Sequence, residues 1–288
     1  MHPLTHNSLI LKFLKEKSLP ESLRSHFKGL ILDMDGVLYR GEQALPGAVE
    51  LFPALRAAGL SFILLTNNAT LTAEEFSQKL ARMGISVEPD SILTSSGATA
   101  SYMAREYPQG GGVYVLGSDS LRATVTTPGG FRADDQQPDF VVVGLDFRLT
   151  YHSLQKACSA IRKGARFIAT NPDLTLPVEG GDLWPGAGTI VAAVQACSGV
   201  APVVIGKPNT YMAEIALERL GLAPNDALCV GDRLDTDIAC GARAGIPTAL
   251  LLTGVSKRED IPAAEAAPNH IFNNLPDLIS ALGLKQQL

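Results

Sequence analysis

Gly29-Leu30-Ile31-Leu32-Asp33-Met34-Asp35-Gly36 decides the fold class and points to the chemistry. The first four residues are a continuous apolar run, the pattern of a strand buried on both faces of a parallel sheet. Two carboxylates at the end of such a strand are not core residues, because stranded charge carries a large desolvation cost unless a cation or water meets it. Spaced i and i+2, Asp33 and Asp35 leave one face of an extended chain and can act on the same substrate atom. One can attack, the other can move protons, and a bound cation can hold both. Taken alone, the tetrapeptide also reads as two acids capping a surface strand; the rest of the chain weighs against that.

At 288 residues the chain exceeds the usual single-domain size, so two domains are expected. Apolar content of 46% with 18% charged residues is ordinary for a soluble globular protein. A net charge of −5 argues against a nucleic-acid binder, which would carry a basic stripe. Cys158, Cys197, Cys229 and Cys240 are widely spaced without a CxxC, which disfavours zinc and reads as reduced core thiols in a cytoplasmic protein. Leu9, Ile10, Leu11, Phe13 and Leu14, interrupted by Lys12 and Lys15, are too short and too charged for a signal peptide or a membrane span. A helix docked on the protein's own body is expected there.

Strand-like runs alternate with helical patterns, which signals an α/β architecture. A helix from about Pro46 to Ala58 precedes the strand Phe62–Leu65, which ends in Thr66-Asn67-Asn68. Thr72 and Glu75 form a capping box for a helix that Gly84 closes. Later, Val203-Val204-Ile205 leads to Gly206-Lys207-Pro208 and a helix from about Thr210 to Leu220. Leu228-Cys229-Val230 runs into Gly231-Asp232, and Thr248 to Leu252 forms one more strand. Each polar cluster follows an apolar strand, at the edge where open parallel sheets bind ligands. The middle third is different. Turn-rich stretches, strands at Phe140–Val143 and Phe167–Ala169, and helices at about Tyr151–Lys163 and Gly186–Ser198 read as a smaller α/β unit inserted over residues 104–203. Residues 1–103 and 204–288 then make the main unit, with 1–27 as an N-terminal extension.

Thr66-Asn67-Asn68 offers a hydroxyl, amides and backbone N–H donors, a grip for phosphate oxygens, although the same residues also suit a plain turn. Lys207, at a strand end, suits phosphate as a point charge. Asp232, Asp235 and Asp237 crowd three acids into six residues, where they repel one another unless a cation joins them. Mg²⁺ fits, since it takes oxygen ligands and is shared with substrate phosphates. A solvated acidic helix start is the alternative.

Together, Asp33-Met34-Asp35-Gly36, Thr66-Asn67-Asn68, Lys207 and Gly231-Asp232 with Asp237 resemble, in order, the four motifs of the haloacid dehalogenase superfamily. Only 33 positions separate Asp33 from Thr66, whereas 141 separate Thr66 from Lys207, which puts the inserted cap at the later of the family's two insertion sites. Ala169-Thr170-Asn171-Pro172-Asp173 and Pro185-Gly186-Ala187-Gly188 resemble the NagD and nitrophenylphosphatase branch, which includes pyridoxal phosphate phosphatases. The resemblance covers about Lys28 to Leu282 and implies a Rossmann-like parallel-sheet core with an inserted α/β cap. It also implies roles: Asp33 as nucleophile forming an aspartyl-phosphate, and Asp35 as general acid and base. Mg²⁺ would be held by Asp33, Asp232 and the backbone carbonyl of Asp35, with Asp237 ligating directly or one layer out. Thr66, Asn67, Asn68 and Lys207 would hold the phosphoryl oxygens.

The cap would read the leaving group, with Asn171 and Asp173 as contacts unless they only form a turn. Trp184 could stack on a planar leaving group but reads better as a core or hinge residue, and Arg233 is a further candidate contact. Animal pyridoxal phosphate phosphatases place a histidine on the cap loop near the position of Leu176, which weakens that assignment. A phosphatase of small phosphorylated metabolites is therefore expected, with no nucleic-acid or membrane partner. Cap-mediated dimers occur in the family, and these residues leave dimer and monomer open. A phosphomutase would need a cap between the first two motifs. A binding or regulatory protein would not need every catalytic acid, and no strand runs into a GxGxxG fingerprint of a dehydrogenase.

Overall fold

The computed structural model describes residue 23 and residues 26–127, 129–178 and 182–284. The helix expected around residues 9–14 lies outside them. Strand β1 (Gly29–Leu32) runs into a short hairpin of β2 (Tyr39–Arg40) and β3 (Gln43–Ala44). Helix α1 (Ala48–Ala57), β4 (Ser61–Thr66) and α2 (Ala73–Arg82) follow. The capping box read from the sequence opens α2. Thr72 N–H donates to Glu75 Oε2 at 2.7 Å and Glu75 N–H to Thr72 Oγ1 at 3.2 Å. Then come β5 (Ile92–Thr94) and α3 (Ser95–Glu106), neither of which the sequence pattern announced.

The middle of the chain supplies β6 (Gly111–Leu116), α4 (Asp119–Thr126), β7 (Phe131–Ala133), β8 (Phe140–Val143), α5 (Tyr151–Arg162) and β9 (Arg166–Ala169). An exposed hairpin of β10 (Thr175–Pro177) and β11 (Leu183–Pro185) precedes α6 (Ala187–Ser198) and β12 (Val203–Val204). The remainder is α7 (Tyr211–Leu220), β13 (Ala227–Gly231), a π-helical turn over Leu234–Ile238, α8 (Ala239–Arg243), β14 (Thr248–Leu251), β15 (His270–Phe272) and α9 (Leu275–Ala281).

Six strands form one parallel sheet in the order β15-β14-β13-β1-β4-β5. The chain leaves β1 toward β4 and β5, then returns to β13 on the other side, so the strand order reverses between β1 and β13. Such a switch point opens a crevice beyond the carboxyl ends of the strands. Leu32 is aligned with Val230 there, which brings Asp33 and Asp232 to the crevice from either side. A second parallel sheet has the order β12-β9-β8-β6-β7.

Here the structure corrects the sequence reading. Val203–Val204 pairs with Ile168–Ala169 in the second sheet. Lys207 therefore reaches the crevice from the second sheet, and three polar clusters, not four, end strands of the first. The apolar run could show that a strand forms, but not which sheet it joins.

Alternation along the strands divides the interior. Leu30 and Leu32 pack with Phe52, Phe76 and Leu278 on one face of the first sheet. Ile31, Ile63 and Leu65 face the other way, in a cluster that continues through Met103 and Met212 to Val113 and Phe140 of the second sheet. Tyr114 and Val141 turn to the outer face of that sheet, against Ile161 and Val194. The two sheets thus share one apolar layer. Three cysteines are buried as expected, but Cys197 is exposed. No helix among the described residues is long and apolar enough to cross a membrane.

Helix α2 separates the value of capping from that of packing. Loss of an N-cap hydroxyl costs about 1 kcal/mol, whereas truncating a buried phenylalanine costs about 3–5 kcal/mol. Phe76 is 1% exposed. Chemical denaturation should therefore show Phe76→Ala to be several times more damaging than Thr72→Ala; equal losses would contradict packing as the main support of α2.

Candidate active site

Asp33 directly follows β1, and its N–H donates to Val230 O at 2.9 Å, which continues the ladder and fixes the backbone. Lys207 Nζ donates to Asp33 Oδ1 at 2.5 Å, to Asp237 Oδ1 at 2.6 Å and to Leu65 O at 3.2 Å. The lysine is 3% exposed. Burial alone would favour its neutral form, but Asp237 and Asp33 outweigh that and hold its pKa well above the usual value. Burial pushes Asp33 upward, Lys207 opposes this, and Asp237 and Asp232 add to the rise.

Oxygen atoms of Asp33, Asp232 and Asp237 lie within 4.8 Å of one another. Asp232 is held by the loop after β14: Val255 N–H donates to its Oδ2 at 2.7 Å. That approach requires glycine at position 254, where an added Cβ would stand 1.8 Å from the same oxygen. Burial, reinforced by Asp237, pushes Asp232 up to about 7, while the Val255 N–H pulls the other way. The π-helical turn sorts the crowded acids. Asp237 turns inward, with its Oδ2 accepting from Arg233 N–H at 3.1 Å. Asp235 turns outward and holds the Arg233 guanidinium at 3.0 and 2.7 Å. Residues two apart on a helical turn point to opposite sides, and π turns recur at functional sites.

Asp35 opens onto a cavity of about 740 Å³ that also reaches Asp33, Thr66 and Lys207. Asp35 is itself exposed to solvent at the cavity mouth, yet the protein around it raises its pKa, with Lys79 and Arg40 opposing. That direction suits a proton donor, and the sequence could not show it. Thr66 Oγ1 accepts from Asn68 N–H at 3.1 Å, which leaves the hydroxyl proton to donate. Asn68 Oδ1 receives Thr70 N–H and Oγ1, each at 2.7 Å, and so shapes the turn.

Two predicted side chains do other work. Asn67 Oδ1 accepts from Lys207 N–H at 2.8 Å, and its Nδ2 donates to Lys207 O at 2.9 Å and Asp173 Oδ2 at 3.1 Å. Asn171 Nδ2 donates to Asn67 O at 2.8 Å, and its Oδ1 accepts from Asp173 N–H at 3.1 Å. Both amides are consumed by protein partners, so neither side chain is placed to grip phosphate or leaving group. Asp173 lines the cavity, as do Leu176 and Arg233. Burial raises the pKa of Asp173, with Arg233 and Asn67 opposing. Trp184 is neither core nor stacking platform: it is 50% exposed, edge-on to Phe147, and outside the cavity lining. Sequence reasoning missed Tyr39, Arg40 and Val255 in the cavity wall. The available signal for Val255 was Gly254 just beyond an apolar strand; the two-residue strand carrying Tyr39 and Arg40 left none.

Comparison with known proteins identifies the family. A haloacid dehalogenase-like hydrolase family model matches residues 30–130, and a HAD-hydrolase-like model matches residues 204–278. An acid sugar phosphatase of Staphylococcus haemolyticus is 40% identical over 257 residues, covering 89% of this chain and 97% of the relative. The crystal structure of a 4-nitrophenylphosphatase from Thermotoga maritima is 37% identical and superposes with a TM-score of 0.86, covering 91% of this chain and 100% of that one. NagD from Escherichia coli K-12 is 33% identical with a TM-score of 0.80, again covering 91% and 100%. Motifs, fold and relatives agree, and the chain belongs to the haloacid dehalogenase-like hydrolases, within their NagD and nitrophenylphosphatase branch of phosphatases.

Proposed function

We propose that this phosphatase hydrolyses phosphate monoesters of small metabolites, sugar phosphates foremost, through an aspartyl-phosphate on Asp33 with Mg²⁺ bound. The observation that carries this reading is the bridge of Lys207 between Asp33 and Asp237, with Asp232 alongside. One ammonium does not balance three carboxylates, and an all-oxygen donor set suits a hard divalent cation. Asp33, Asp232 and the backbone carbonyl of Asp35 would hold the ion, and Asp237 would support it directly or one layer out. When bound, Mg²⁺ neutralises phosphate charge and counters the rise in the Asp33 pKa.

Asp33 attacks phosphorus while the Thr66 hydroxyl meets a phosphoryl oxygen; the Lys207 ammonium, whose three donors go to Asp33, Asp237 and the Leu65 carbonyl, gives up its Asp33 contact to meet another. The Asn67 side chain is taken by protein partners and the Asn68 N–H by Thr66 Oγ1, so in this segment the role falls to the side-chain Nδ2 of Asn68, a residue that lines the cavity. Asp35 gives its proton to the leaving oxygen, then takes one from the water that cleaves the intermediate. General acid–base help supplies about 10²–10⁴ of rate, against accelerations that approach roughly 10²¹ for phosphate monoesters. Preorganised charge and positioning must supply most of the remainder.

The inserted unit of about residues 104–203 acts as the cap. Asp173 faces the leaving group, flanked by Leu176 and Arg233. The curated relative's name, acid sugar phosphatase, supports sugar phosphates, as does a cavity of about 740 Å³ with both polar and apolar walls.

A panel of phosphate esters tests the reading. Phosphate release should require Mg²⁺, stop with EDTA, favour sugar phosphates and vanish in Asp33→Asn while that variant keeps its thermal stability. Metal-independent release, or an active Asp33→Asn, would contradict it. The role of Asp35 has its own signature. Its raised pKa keeps the proton on to higher pH than an ordinary carboxylate, so the first-turnover rate on a sugar phosphate should fall as rising pH removes it. Asp35→Asn should abolish that decline and slow the first turnover by about 10²–10⁴-fold. p-Nitrophenyl phosphate, whose leaving group departs unprotonated, should lose less in a rapid-quench assay; equal losses would exclude Asp35 as the acid.

A further inference from the structure

Lys207 must meet Asp33 and Asp237, which belong to the first sheet, yet its own strand belongs to the second. Pairing with the second sheet ends at Gly206, whose N–H donates to Thr170 O at 2.8 Å. The next N–H, that of Lys207, turns to Asn67 Oδ1 at 2.8 Å, and the Lys207 carbonyl receives Asn67 Nδ2 at 2.9 Å. The amide of Asn67 thus takes both backbone groups of one residue, as a neighbouring strand would. Its second proton goes to Asp173 Oδ2 at 3.1 Å, and its own carbonyl receives Ser95 Oγ at 2.5 Å and Asn171 Nδ2 at 2.8 Å. Asn67 is 9% exposed and lies directly beyond β4. Residue 206 leaves room for the clamp only as glycine, because an added Cβ would stand 2.5 Å from Thr170 O and 2.6 Å from Asn67 Oδ1.

We propose that Asn67 is a positioning residue: its side-chain amide clamps the Lys207 backbone to the end of β4 and so sets the ammonium in register with Asp33 and Asp237. The inference rests on the phosphatase reading for its kinetic consequence and on geometry alone for the clamp. Misplacing a reacting group by about 1 Å costs on the order of 10²-fold in rate.

The full chain with Mg²⁺ and p-nitrophenyl phosphate supplies the test. Asn67→Ala should lower kcat about 10²-fold with KM within a few-fold of wild type. A rise in KM with unchanged kcat would instead mark Asn67 as a direct phosphate ligand. A lower melting temperature with unchanged kcat would mark it as merely structural. Asn67→Asp keeps the acceptor for Lys207 N–H but sets a carboxylate against both Asp173 and the Lys207 carbonyl. Adding Asp173→Asn returns the hydrogen bond to residue 173 with its direction reversed but not the one to Lys207 O, so kcat should stay well below wild type; full recovery would overturn the clamp. Amide exchange gives an answer independent of turnover. Lys207 N–H should be protected in wild type and exchange faster in Asn67→Ala, and unchanged exchange there would refute the clamp even if the wild type proved inactive on every ester.

Discussion

One ammonium group, Lys207 Nζ, is buried between the carboxylates of Asp33 and Asp237, at 2.5 and 2.6 Å, with Asp232 close by. Burying charge is expensive, and a buried cluster is tolerated only when its members are paired and hydrogen-bonded. Here the pairing is incomplete by design of the donor set: three acids face one cation. The surplus negative charge is what a divalent cation can offset. Most of the local structure reads as support for this cluster. The β1–β13 alignment delivers Asp33 and Asp232, Gly254 admits the N–H that holds Asp232, and the π turn sends Asp237 in and Asp235 out.

The cluster also explains why the two sheets meet where they do. Both are parallel, and parallel sheets gather ligand-binding groups beyond the carboxyl ends of their strands. The second sheet sends Asn171, Asp173 and Lys207 from those ends toward Thr66 and Asn67 of the first. An apolar layer running from Ile31 through Met103 to Val113 holds the sheets against each other. The hydrogen bonds of Asn67 then register them at the point of chemistry. Global packing sets the neighbourhood, and a few amide contacts set the geometry.

Much of this was legible in the amino-acid order. Asp33, Thr66 and Asp232 stand out because each ends a run of apolar residues that had to become a buried strand. The capping box at Thr72 and Glu75 is local chemistry, visible within four residues. What could not be read were partnerships across long separations. Asn67 meets Lys207 across 140 positions and Asn171 across 104. An asparagine beside a phosphate motif looks the same whether its amide faces phosphate or backbone. Val203–Val204 has the composition of a strand for either sheet, and its neighbour was decided by the tertiary fold. The pKa of Asp35 is set by the protein around it and partly by Lys79, which lies far from it in the chain, so no local pattern encodes it.

Attack by Asp33 is tested most directly by trapping the intermediate. Enzyme turning over a sugar phosphate with Mg²⁺ would be quenched in acid and treated with hydroxylamine, which converts an acyl phosphate to a hydroxamate, and the modified residue located by peptide mass spectrometry. Modification at Asp33, lost in Asp33→Asn, is the result that a covalent aspartyl-phosphate requires. Brisk turnover with no modified carboxylate, or with the label on Asp35, would contradict it.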